Sequence, residues 1–472
     1  MNTVLKDTAT CRPWLMPLML VSSDVVAVVL TGMACVLVRY VFGGGFGLSL
    51  YFKLWPLLLG FPVSYAATRS YKILTPPPIE FKRCTLGTCF MFLFLAAITF
   101  WLRSADAYSR IILFFFCLLL VFTVPLGRRI CRKYFSHMPG WKLPAVIYGN
   151  NEIARSMVRN LQEHSYLGLE PVALVYDNTA GARISYLGVP ICDRNSLTKL
   201  PQQNCPAYFI VAEPNFTLNQ YRNILKMGHE HFAKTVIAPD IFRQANMWAD
   251  VVDINGTLGL ETGQKLTAPL PQFYKRTTDI LGALVGVVVL FPVFLLLALL
   301  IRLDSPGPVF YRQTRIGRNG EPFKLWKFRT MVKDADAVFR KHLDADLELK
   351  AQWDSKQKLR YDPRITHIGK QLRKASIDEL PQLINVFMGD MSLVGPRPIV
   401  ESEIKKYSNK FELYSKVSPG MTGLWQISGR SSTSYKRRVD LDVYYIRNWS
   451  FWFDLYILTR TPGAVFKCNG AC

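Results

Sequence analysis

Residues 281–301 read LGALVGVVVLFPVFLLLALLI, an apolar stretch without a charge and with one proline, Pro292, near its centre. At about 1.5 Å per residue, a helix of this length matches the ~30 Å hydrocarbon core of a bilayer. Basic residues stand on both sides of the stretch, with Lys275 before it and Arg302 after it. Lysine and arginine favour the cytoplasmic side of a membrane, so both ends are predicted to lie there. The sequence therefore predicts a re-entrant helix, residues 279–301, that enters the membrane, breaks near Pro292 and returns.

Further apolar segments fill the first 130 residues, at about 14–38, 50–68, 84–102 and 110–126. Each approaches the ~20 residues that a membrane-spanning helix needs. Lysine and arginine are concentrated in the N-terminal tail, in the second loop and after the fourth segment, so the tail and the chain from residue 128 onward are predicted to be cytoplasmic. Asp24 lies inside the first segment. A carboxylate at this depth is either a functional group or a hydrogen-bonding contact between helices.

The composition points to an anionic partner and to lipid. The 472 residues carry a formal net charge of +23, and half of them are hydrophobic. A charge of this size indicates nucleic acid, a membrane surface or phosphorylated substrates. Nucleic acid is disfavoured because the basic residues cluster beside the apolar segments and no nucleic-acid-binding motif is present. The ten cysteines form no C-x-x-C pair, and the six histidines have no metal-ligand spacing, so no structural metal site is predicted.

The middle of the chain has the pattern of an α/β domain. PAVIYGNNEIARSMVRNLQ, residues 144–162, combines an apolar strand, a turn with a glycine and a helix, and further buried strands follow it. Asp177 ends the second strand, where a Rossmann domain would hold a ribose. A dinucleotide site needs the glycines of G-x-G-x-x-G, however, and this turn supplies only Gly149. We interpret the domain as degenerate Rossmann-like, with a structural or regulatory role favoured over nucleotide binding.

The carboxyl third is rich in arginine, lysine, glycine and proline, and its most informative segment is LRKASIDELPQLINVFMGDMSLVGPRP, residues 372–398. Ser376 and Glu379 have the spacing of a capping box, which predicts that a helix begins at Ser376. Asp378 and Glu379 would then lie in its first turn and project about 100° apart. One interpretation is that the two carboxylates only stabilise the helix N-terminus. The other is that one carboxylate attacks a substrate while the other holds Mg²⁺.

Basic residues around this pair favour the second interpretation. Arg373 precedes the carboxylates by about one turn, and Arg397 is fixed between Pro396 and Pro398. The planar guanidinium suits bidentate contacts to phosphate. Lys327 and Arg430 are further candidates for binding a diphosphate. A carboxylate nucleophile beside a metal ion and arginines is a plausible phosphoryl-transfer site with an acyl-phosphate intermediate.

These segments together resemble the bacterial polyprenyl-phosphate hexose-1-phosphate transferases, over residues 274–466. The resemblance is carried by KRTTDILGA, GPVFYRQTRIGRNG, KLWKFRTM, DPRITHIGKQLRKASIDELPQLINVFMGDMSLVGPRP, PGMTGLWQISGR and RRVDLDVYYIRNWSFWFDLYIL. With the apolar segments and the middle domain, the whole chain looks like an undecaprenyl-phosphate galactose or glucose phosphotransferase. The implied fold is a four-helix transmembrane domain (1–135), a degenerate Rossmann-like domain (136–265) and a mixed α/β, mostly helical monotopic phosphoglycosyl transferase domain (266–472).

The resemblance implies a two-step reaction. Asp378 would attack a UDP-hexose and release UMP, and the sugar-phosphoryl group would then pass to undecaprenyl phosphate. Glu379 matches the family's Mg²⁺-associated carboxylate. Motif positions that the family uses for phosphate or nucleotide contacts, or to support the site, fall on Lys327, Arg373, Arg397, Arg430 and Asp442. The enzyme would act at the cytoplasmic face of a bacterial inner membrane, among membrane lipids and as a homodimer.

The chain departs from the family pattern at two positions. Phe291 stands before Pro292 where many members carry serine, and Ser431 follows SGR where many carry asparagine. Two other functions compete with the transferase. A membrane-bound nucleotide-sugar dehydratase would need an intact glycine fingerprint and a Tyr-x-x-x-Lys base, and the sequence has neither. A scaffold protein without enzymatic activity would not need Asp378, Glu379 and Arg397 together.

Overall fold

The computed structural model describes most of the chain, in these ranges: 12–41, 55–101, 110–177, 185–194, 208–214, 216–238, 250–254, 257–261, 266, 268–335, 337–340, 362, 364–429 and 434–466. The protein divides into two compact units, Met1–Ala245 and Asn246–Cys472. The finer division into three domains stays a prediction.

The first unit begins with apolar helices. They are α1 (Leu15–Val41), α2 (Trp55–Leu58), α3 (Gly60–Ala67), α4 (Pro77–Trp101) and α5 (Arg110–Phe135). By length and composition, α1, α4 and most of α5 are able to cross a membrane. The described part of the predicted second segment is a shorter apolar helix, Pro56–Ala67, and residues 50–54 of that segment lie outside the described residues. Membrane association is therefore supported by several apolar helices.

Buried charges join these helices to one another. The Arg128 side chain of α5 donates to Asp24 of α1 at 2.6 and 2.8 Å and to Glu80 of α4 at 2.9 Å. Arg132 also contacts Glu80, at 2.6 and 2.9 Å, and the Tyr71 hydroxyl donates to Asp24 at 2.6 Å. The interpretation of Asp24 as a contact between helices is confirmed. Two acidic and two basic groups neutralise each other where an unpaired charge would be costly.

The rest of the first unit is a mixed α/β region around a six-stranded sheet of order β3-β4-β2-β1-β5-β6. All neighbours are parallel except the β3–β4 pair. The elements are β1 (Leu143–Tyr148), α6 (Glu152–Glu163), β2 (Leu169–Tyr176), β3 (Ser185–Tyr186), β4 (Val189–Asp193), β5 (Tyr208–Val211), α7 (Leu218–His231) and β6 (Lys234–Ile237). β1 is buried along its whole length, as its continuous apolar run predicts.

The turn after β1 is occupied by the protein's own side chains. Gly149 has a φ of 144°, which a residue with a Cβ rarely adopts. Asn151 caps α6, since its Oδ1 accepts from the N–H of Ala154 at 2.9 Å. The Glu213 carboxylate accepts from the N–H of Asn150 at 3.3 Å. A carboxylate at this helix end opposes the binding of a diphosphate, which favours the structural or regulatory interpretation.

The second unit is built from α-helices and β-strands in the residues that the structure describes. They are β7 (Asp250–Ile254), β8 (Thr257–Glu261), α8 (Pro269–Asp304), β9 (Phe310–Ile316), β10 (Pro322–Phe328), α9 (His367–Lys374), α10 (Gln382–Met388), β11 (Ser392–Val394), β12 (Gly420–Thr422), α11 (Leu424–Ile427), α12 (Tyr435–Arg447) and α13 (Phe451–Phe466). Two further short α-helices, Ile404–Tyr407 and Phe411–Ser415, lie between β11 and β12. β9 and β10 form an antiparallel hairpin, and β11 pairs with β12 in parallel.

The 36-residue helix α8 runs through Pro292 as one helix, so the proline does not divide it into two separate helices. A proline inside an apolar helix is tolerated when neighbouring contacts hold the backbone on both sides of it. Here Leu290 and Phe294 pack against the rest of the unit on either side of the proline. The continuous helix differs from the predicted break near Pro292, and the re-entrant path of α8 stays a prediction.

Both ends of α8 contact the same unit. Near its start, Asp279 accepts from the N–H of Leu393 at 3.0 Å, and at its end Asp304 accepts from the N–H of Ile368 at 3.0 Å. One face packs along its length, through Ala283, Val287, Leu290, Phe294, Leu297 and Ile301. The opposite face is apolar but exposed, through Leu281, Val285, Val288, Leu295, Leu299 and Leu303. The helix thus lies along the unit and leaves a long apolar face uncovered by the described residues.

Candidate active site

The β9–β10 hairpin carries Lys327, and a buried asparagine holds the strand in place. Asn385 of α10 has no exposed surface. Its Oδ1 accepts from the N–H of Trp326 at 2.9 Å, and its Nδ2 donates to the carbonyl of Lys324 at 2.8 Å. These bonds satisfy two backbone groups of β10. Asn385 therefore ties the strand that presents Lys327 to the helix that follows the carboxylate pair.

The carboxylate pair lies on a tight turn rather than at the start of an α-helix. Ser376 adopts a left-handed conformation with a φ of 54°, and its side chain makes no capping bond. Ile377–Glu379 form a single 3₁₀ turn, and α10 begins only at Gln382. The predicted capping box is therefore wrong. Pro381 is the physical reason, because a proline fits the first turn of a helix but not its interior.

Three of the predicted site residues meet at this turn. The Lys327 ammonium donates to Glu379 at 2.7 Å and lies 3.7 Å from the Asp378 carboxylate. Asp378 is only 9% exposed, and this burial raises the pKa of its carboxyl to about 6, while the charge of Lys327 acts against the rise. A carboxylate that is little hydrated yet still largely ionised at neutral pH suits a nucleophile.

Arg373 lies at the end of α9, beside the same turn. Its Nε donates to the Thr330 hydroxyl at 2.9 Å. Burial lowers the pKa of the guanidinium, and the negative charges of Asp378 and Asp362 oppose that change. The side chain is thus fixed by Thr330 close to the charge of Asp378.

Arg397 and Asp442 form a second group. The Arg397 carbonyl accepts from the Tyr414 hydroxyl at 2.9 Å, and its guanidinium stacks on Trp425 at 5.1 Å from the ring centroid. Asp442 is 1% exposed and accepts from the Tyr407 hydroxyl at 2.7 Å. Burial raises the pKa of Asp442 to about 7, against the Tyr407 bond and the charges of Arg438 and Arg397. Asp442 is thus a buried carboxylate close to Arg397.

Comparison with known proteins gives the same picture. Residues 270–468 match the family described as bacterial sugar transferase. The UDP-galactose-lipid carrier transferase of Erwinia amylovora is 33% identical over 74% of this chain and 73% of its own length. The chain belongs to the bacterial sugar transferase family. The undecaprenyl-phosphate galactose phosphotransferase of Salmonella typhimurium is 33% identical over 80% of this chain and 79% of its own length.

A third relative of this transferase is the UDP-glucose:undecaprenyl-phosphate glucose-1-phosphate transferase of Escherichia coli. It is 31% identical over 72% of this chain and 72% of its own length. The family predicted from the sequence motifs is therefore confirmed, and so is the prediction of a transferase enzyme. The relatives match far beyond the carboxyl third, so the resemblance includes much of the first unit.

The structure of the transferase brings four of the predicted site residues together at one turn and places Arg397 and Asp442 in a second group. Lys327, Asp378 and Glu379 are in contact, and Arg373 lies beside them. Arg430 and Ser431 lie outside the described residues. Pro292 lies within α8 and supplies no polar group.

Sequence reasoning missed several residues that shape the site of the transferase. They are Thr330, Asn385, Tyr407, Tyr414 and Trp425. Each lies within a motif quoted for the family or near one, but none has a charge that would have drawn attention. A buried polar side chain needs a partner. The asparagine in the apolar run LPQLINVF was the one signal of this kind that the sequence offered.

The carboxylates of Asp378 and Glu379 fit a magnesium ion that is also bound by oxygen atoms of a substrate. Asp378 and Glu379 supply adjacent carboxylate oxygens, the hard donors that Mg²⁺ prefers. In the part of the chain that the structure describes, no group of three or more acidic, histidine or cysteine side chains is arranged to hold a metal. Mg²⁺ commonly takes one or two carboxylates together with water and phosphate oxygens, so two carboxylates are enough for such a site.

Proposed function

We propose that this transferase moves hexose-1-phosphate from a UDP-hexose to undecaprenyl phosphate and so begins the synthesis of an exopolysaccharide, capsule or O-antigen. The proposal rests first on the relatives, whose names specify undecaprenyl phosphate with galactose or glucose. The observation that carries the chemistry is the buried Asp378 carboxylate, 3.7 Å from the Lys327 ammonium and adjacent to Glu379. Such a site can attack phosphorus and then release the group again.

In the first step, a carboxylate oxygen of Asp378 attacks the phosphorus that carries the sugar. The bond between this phosphorus and the oxygen that links it to UMP breaks, and UMP leaves with the electron pair. Lys327 and Arg373 supply positive charge beside the reacting phosphate. The product is a sugar-phosphoryl aspartate.

In the second step, a phosphate oxygen of undecaprenyl phosphate attacks the same phosphorus. The bond to the Asp378 oxygen breaks, the carboxylate is restored, and a diphosphate-linked sugar results. Raising the pKa of Asp378 makes its carboxylate a poorer leaving group, but an acyl phosphate is a reactive species and still transfers readily. Arg397, fixed by Trp425 and Tyr414, would hold one of the substrate phosphates.

A magnesium ion would be held by Glu379 together with substrate phosphate oxygens. When bound, it would supply charge neutralisation for the phosphates. The contact between Lys327 and Glu379 would then be shared with the ion.

The second unit is proposed to lie at the cytoplasmic face of the bacterial inner membrane. UDP-sugars are made in the cytoplasm, and the exposed apolar face of α8 would rest in lipid, so a soluble donor and a lipid phosphate would meet at the membrane surface. We also propose that the protein is a homodimer. Light scattering of the detergent-solubilised protein measures its mass and so tests this proposal.

The Asp378→Asn variant tests the nucleophile. We expect UMP release from UDP-glucose or UDP-galactose, with undecaprenyl phosphate present, to fall by at least about 10⁴-fold, because an amide cannot replace the carboxylate as a nucleophile. Asp440→Asn, which removes an exposed carboxylate paired with Lys410, is the matched control and should keep its activity. Full turnover by Asp378→Asn would rule out the proposed mechanism.

Mass spectrometry of the wild-type protein incubated with UDP-hexose, without lipid acceptor, tests the intermediate. A sugar-phosphoryl adduct is expected on the peptide that contains Asp378. An adduct on another residue would contradict the assignment. A panel of UDP-sugars in the same UMP-release assay identifies the sugar.

A further inference from the structure

Two arginines that the proposed mechanism does not use lie beside Arg397. They are Arg315 on β9 and Arg438 on α12, and with Arg397 we call them the arginine subsite. Each of the three is partly exposed. Within the described ranges, none of the three forms an ion pair with a carboxylate, whereas Lys327 and Arg364 do.

An indole ring holds two members of the subsite. The guanidinium carbon of Arg438 lies 4.7 Å from the Trp425 ring centroid, and that of Arg397 lies 5.1 Å from the same centroid. Stacking of this kind fixes the plane of a guanidinium and leaves its N–H edge available for hydrogen bonds. The buried Nε of Arg438 has no hydrogen-bond partner among the described residues.

Backbone pairing brings Arg315 close to Arg397. The N–H of Ile316 donates to the carbonyl of Ile399 at 2.8 Å, which joins the end of β9 to the segment that follows Arg397. The buried Nε of Arg315 also has no partner in the described part of the chain. Burial lowers the pKa of Arg315, and the charge of Arg397 lowers it further. The two cations are thus close enough to repel each other.

Arg315 shares a face of the hairpin with Lys327. Arg315 is paired with Phe323, and Lys327 with Tyr311, and alternate residues along a strand lie on one face. Phe323 and Lys327 are four residues apart on β10, a backbone distance of about 13 Å. This face therefore carries Lys327 beside Asp378 and Arg315 about 13 Å further along the hairpin.

The carboxylates near the subsite make hydrogen bonds to other groups, although the charges of Arg438 and Arg397 also act on Asp442. Asp442 accepts from Tyr407, Glu379 accepts from Lys327, and Glu403 accepts from the N–H of Val400 at 3.2 Å. Neighbouring cations that no carboxylate pairs repel each other, and a bound anion would relieve that repulsion. Guanidinium groups match the tetrahedral oxygens of phosphate.

We infer that Arg315 and Arg438 act with Arg397 to bind a phosphate group of the substrates, in a subsite separate from the Lys327 and Arg373 contacts at Asp378. The inference rests on the proposed function, because that function supplies the ligands. A UDP donor carries two phosphates and the lipid acceptor carries one. The shared chemistry is a phosphate oxyanion, and the two sources are separated by experiment.

Binding is measured by calorimetry on the full-length protein in detergent, with UDP in one arm and farnesyl phosphate in the other. The variants are Arg315→Gln and Arg438→Gln, together with Arg315→Lys and Arg438→Lys. Arg312→Gln and Arg437→Gln are matched controls: Arg312 lies on the other face of the hairpin, against Trp326, and Arg437 is an exposed neighbour of Arg438. Thermal unfolding confirms that each variant is folded.

We expect Arg315→Gln and Arg438→Gln to weaken binding of one and the same ligand, UDP or farnesyl phosphate. The loss should be about tenfold or more for each variant, as loss of a charge-assisted hydrogen bond predicts. The affinity of the lysine variants should lie between that of the wild type and that of the glutamine variants, because lysine keeps the charge but lacks the planar guanidinium group. Weaker UDP binding assigns the subsite to the donor, and weaker farnesyl phosphate binding assigns it to the acceptor.

Unchanged affinity for both ligands in folded Arg315→Gln and Arg438→Gln proteins would overturn the inference while leaving the proposed function intact. Wild-type protein that binds neither ligand would instead contradict the proposed function, and the inference with it.

Discussion

At the scale of single residues, the environment of Asp378 decides how the site can work. The carboxylate is nearly buried, which raises its pKa. The positive charge of Lys327 acts in the other direction and favours the ionised form. The neighbouring Glu379 is more exposed and takes the shorter contact to Lys327, 2.7 Å. Two adjacent acids in one turn therefore have different surroundings, which allows one to react and the other to bind a cation.

The pH dependence of UMP release tests this environment. In the proposed mechanism the nucleophile is the ionised carboxylate of Asp378, so the wild-type rate should fall as the pH drops through about 6, where Asp378 takes up a proton. Lys327→Met removes the charge that favours the ionised form, so the midpoint should move to higher pH, in addition to any loss of rate.

The measurement is the rate of UMP release between pH 5 and pH 9. Lys324→Met, at an exposed lysine of the same strand, is the control and should leave the midpoint unchanged. A midpoint in Lys327→Met that stays in place or moves to lower pH would contradict the assigned role of the lysine.

At the scale of elements, the site depends on contacts between segments that are distant in sequence. Asn385 connects α10 to β10, across about 60 residues, and so sets the distance between Lys327 and the carboxylate turn. A second buried group fixes the start of α8: Lys275 donates to Asp454 of α13 at 2.7 Å, and Asp454 also accepts from Tyr445 and Trp449. The apolar helix α8 and the turn that carries Asp378 and Glu379 therefore belong to one packed unit.

Asn385→Leu tests the connection between α10 and β10. The substitution leaves the Trp326 N–H and the Lys324 carbonyl without their partner, at a cost of about 1–3 kcal/mol for each buried group. We expect a lower unfolding temperature and a lower rate of UMP release, since Lys327 lies on the released strand.

Asn409→Leu, at an exposed asparagine, is the control and should change neither quantity. Wild-type stability in Asn385→Leu would show that these bonds do not hold the strand.

At the scale of the whole molecule, the orientation of α8 decides where the chemistry takes place. Its length and composition suffice for a membrane crossing, with a mean hydropathy of 3.2 in its most apolar window. Its two ends nevertheless contact the same unit, through Asp279 and Asp304. A helix that crossed the bilayer would have to pull one of these polar contacts through lipid. Both ends on one side is the arrangement that keeps the contacts.

Labelling of single cysteines tests this arrangement, in a protein from which the native cysteines have been removed. Tyr274→Cys and Leu303→Cys are the best positions, since both side chains are exposed whereas Lys275 and Ser305 are buried. We expect both to react with an impermeant reagent from the same side as Lys333→Cys, an exposed control in the same unit. Labelling of positions 274 and 303 from opposite sides would establish a true crossing.

The sequence by itself determined the apolar helices, the α/β pattern of the middle region, the adjacent Asp378 and Glu379, and the family. These are properties of composition, periodicity and neighbouring residues, so they are visible before the chain folds. The site was predictable as far as it consists of charged residues within motifs. Its uncharged supports, such as Asn385 and Trp425, were not predicted.

Only the tertiary structure decided which residues meet and how the backbone runs between them. It paired Lys327 with Glu379 across 52 positions, placed Arg315 beside Arg397, turned the chain at Ser376 where a capping box was expected, and continued α8 through Pro292. The physical reason is the same in each case. Burial, charge pairing and support for a proline depend on what packs against a segment, and packing partners come from elsewhere in the chain.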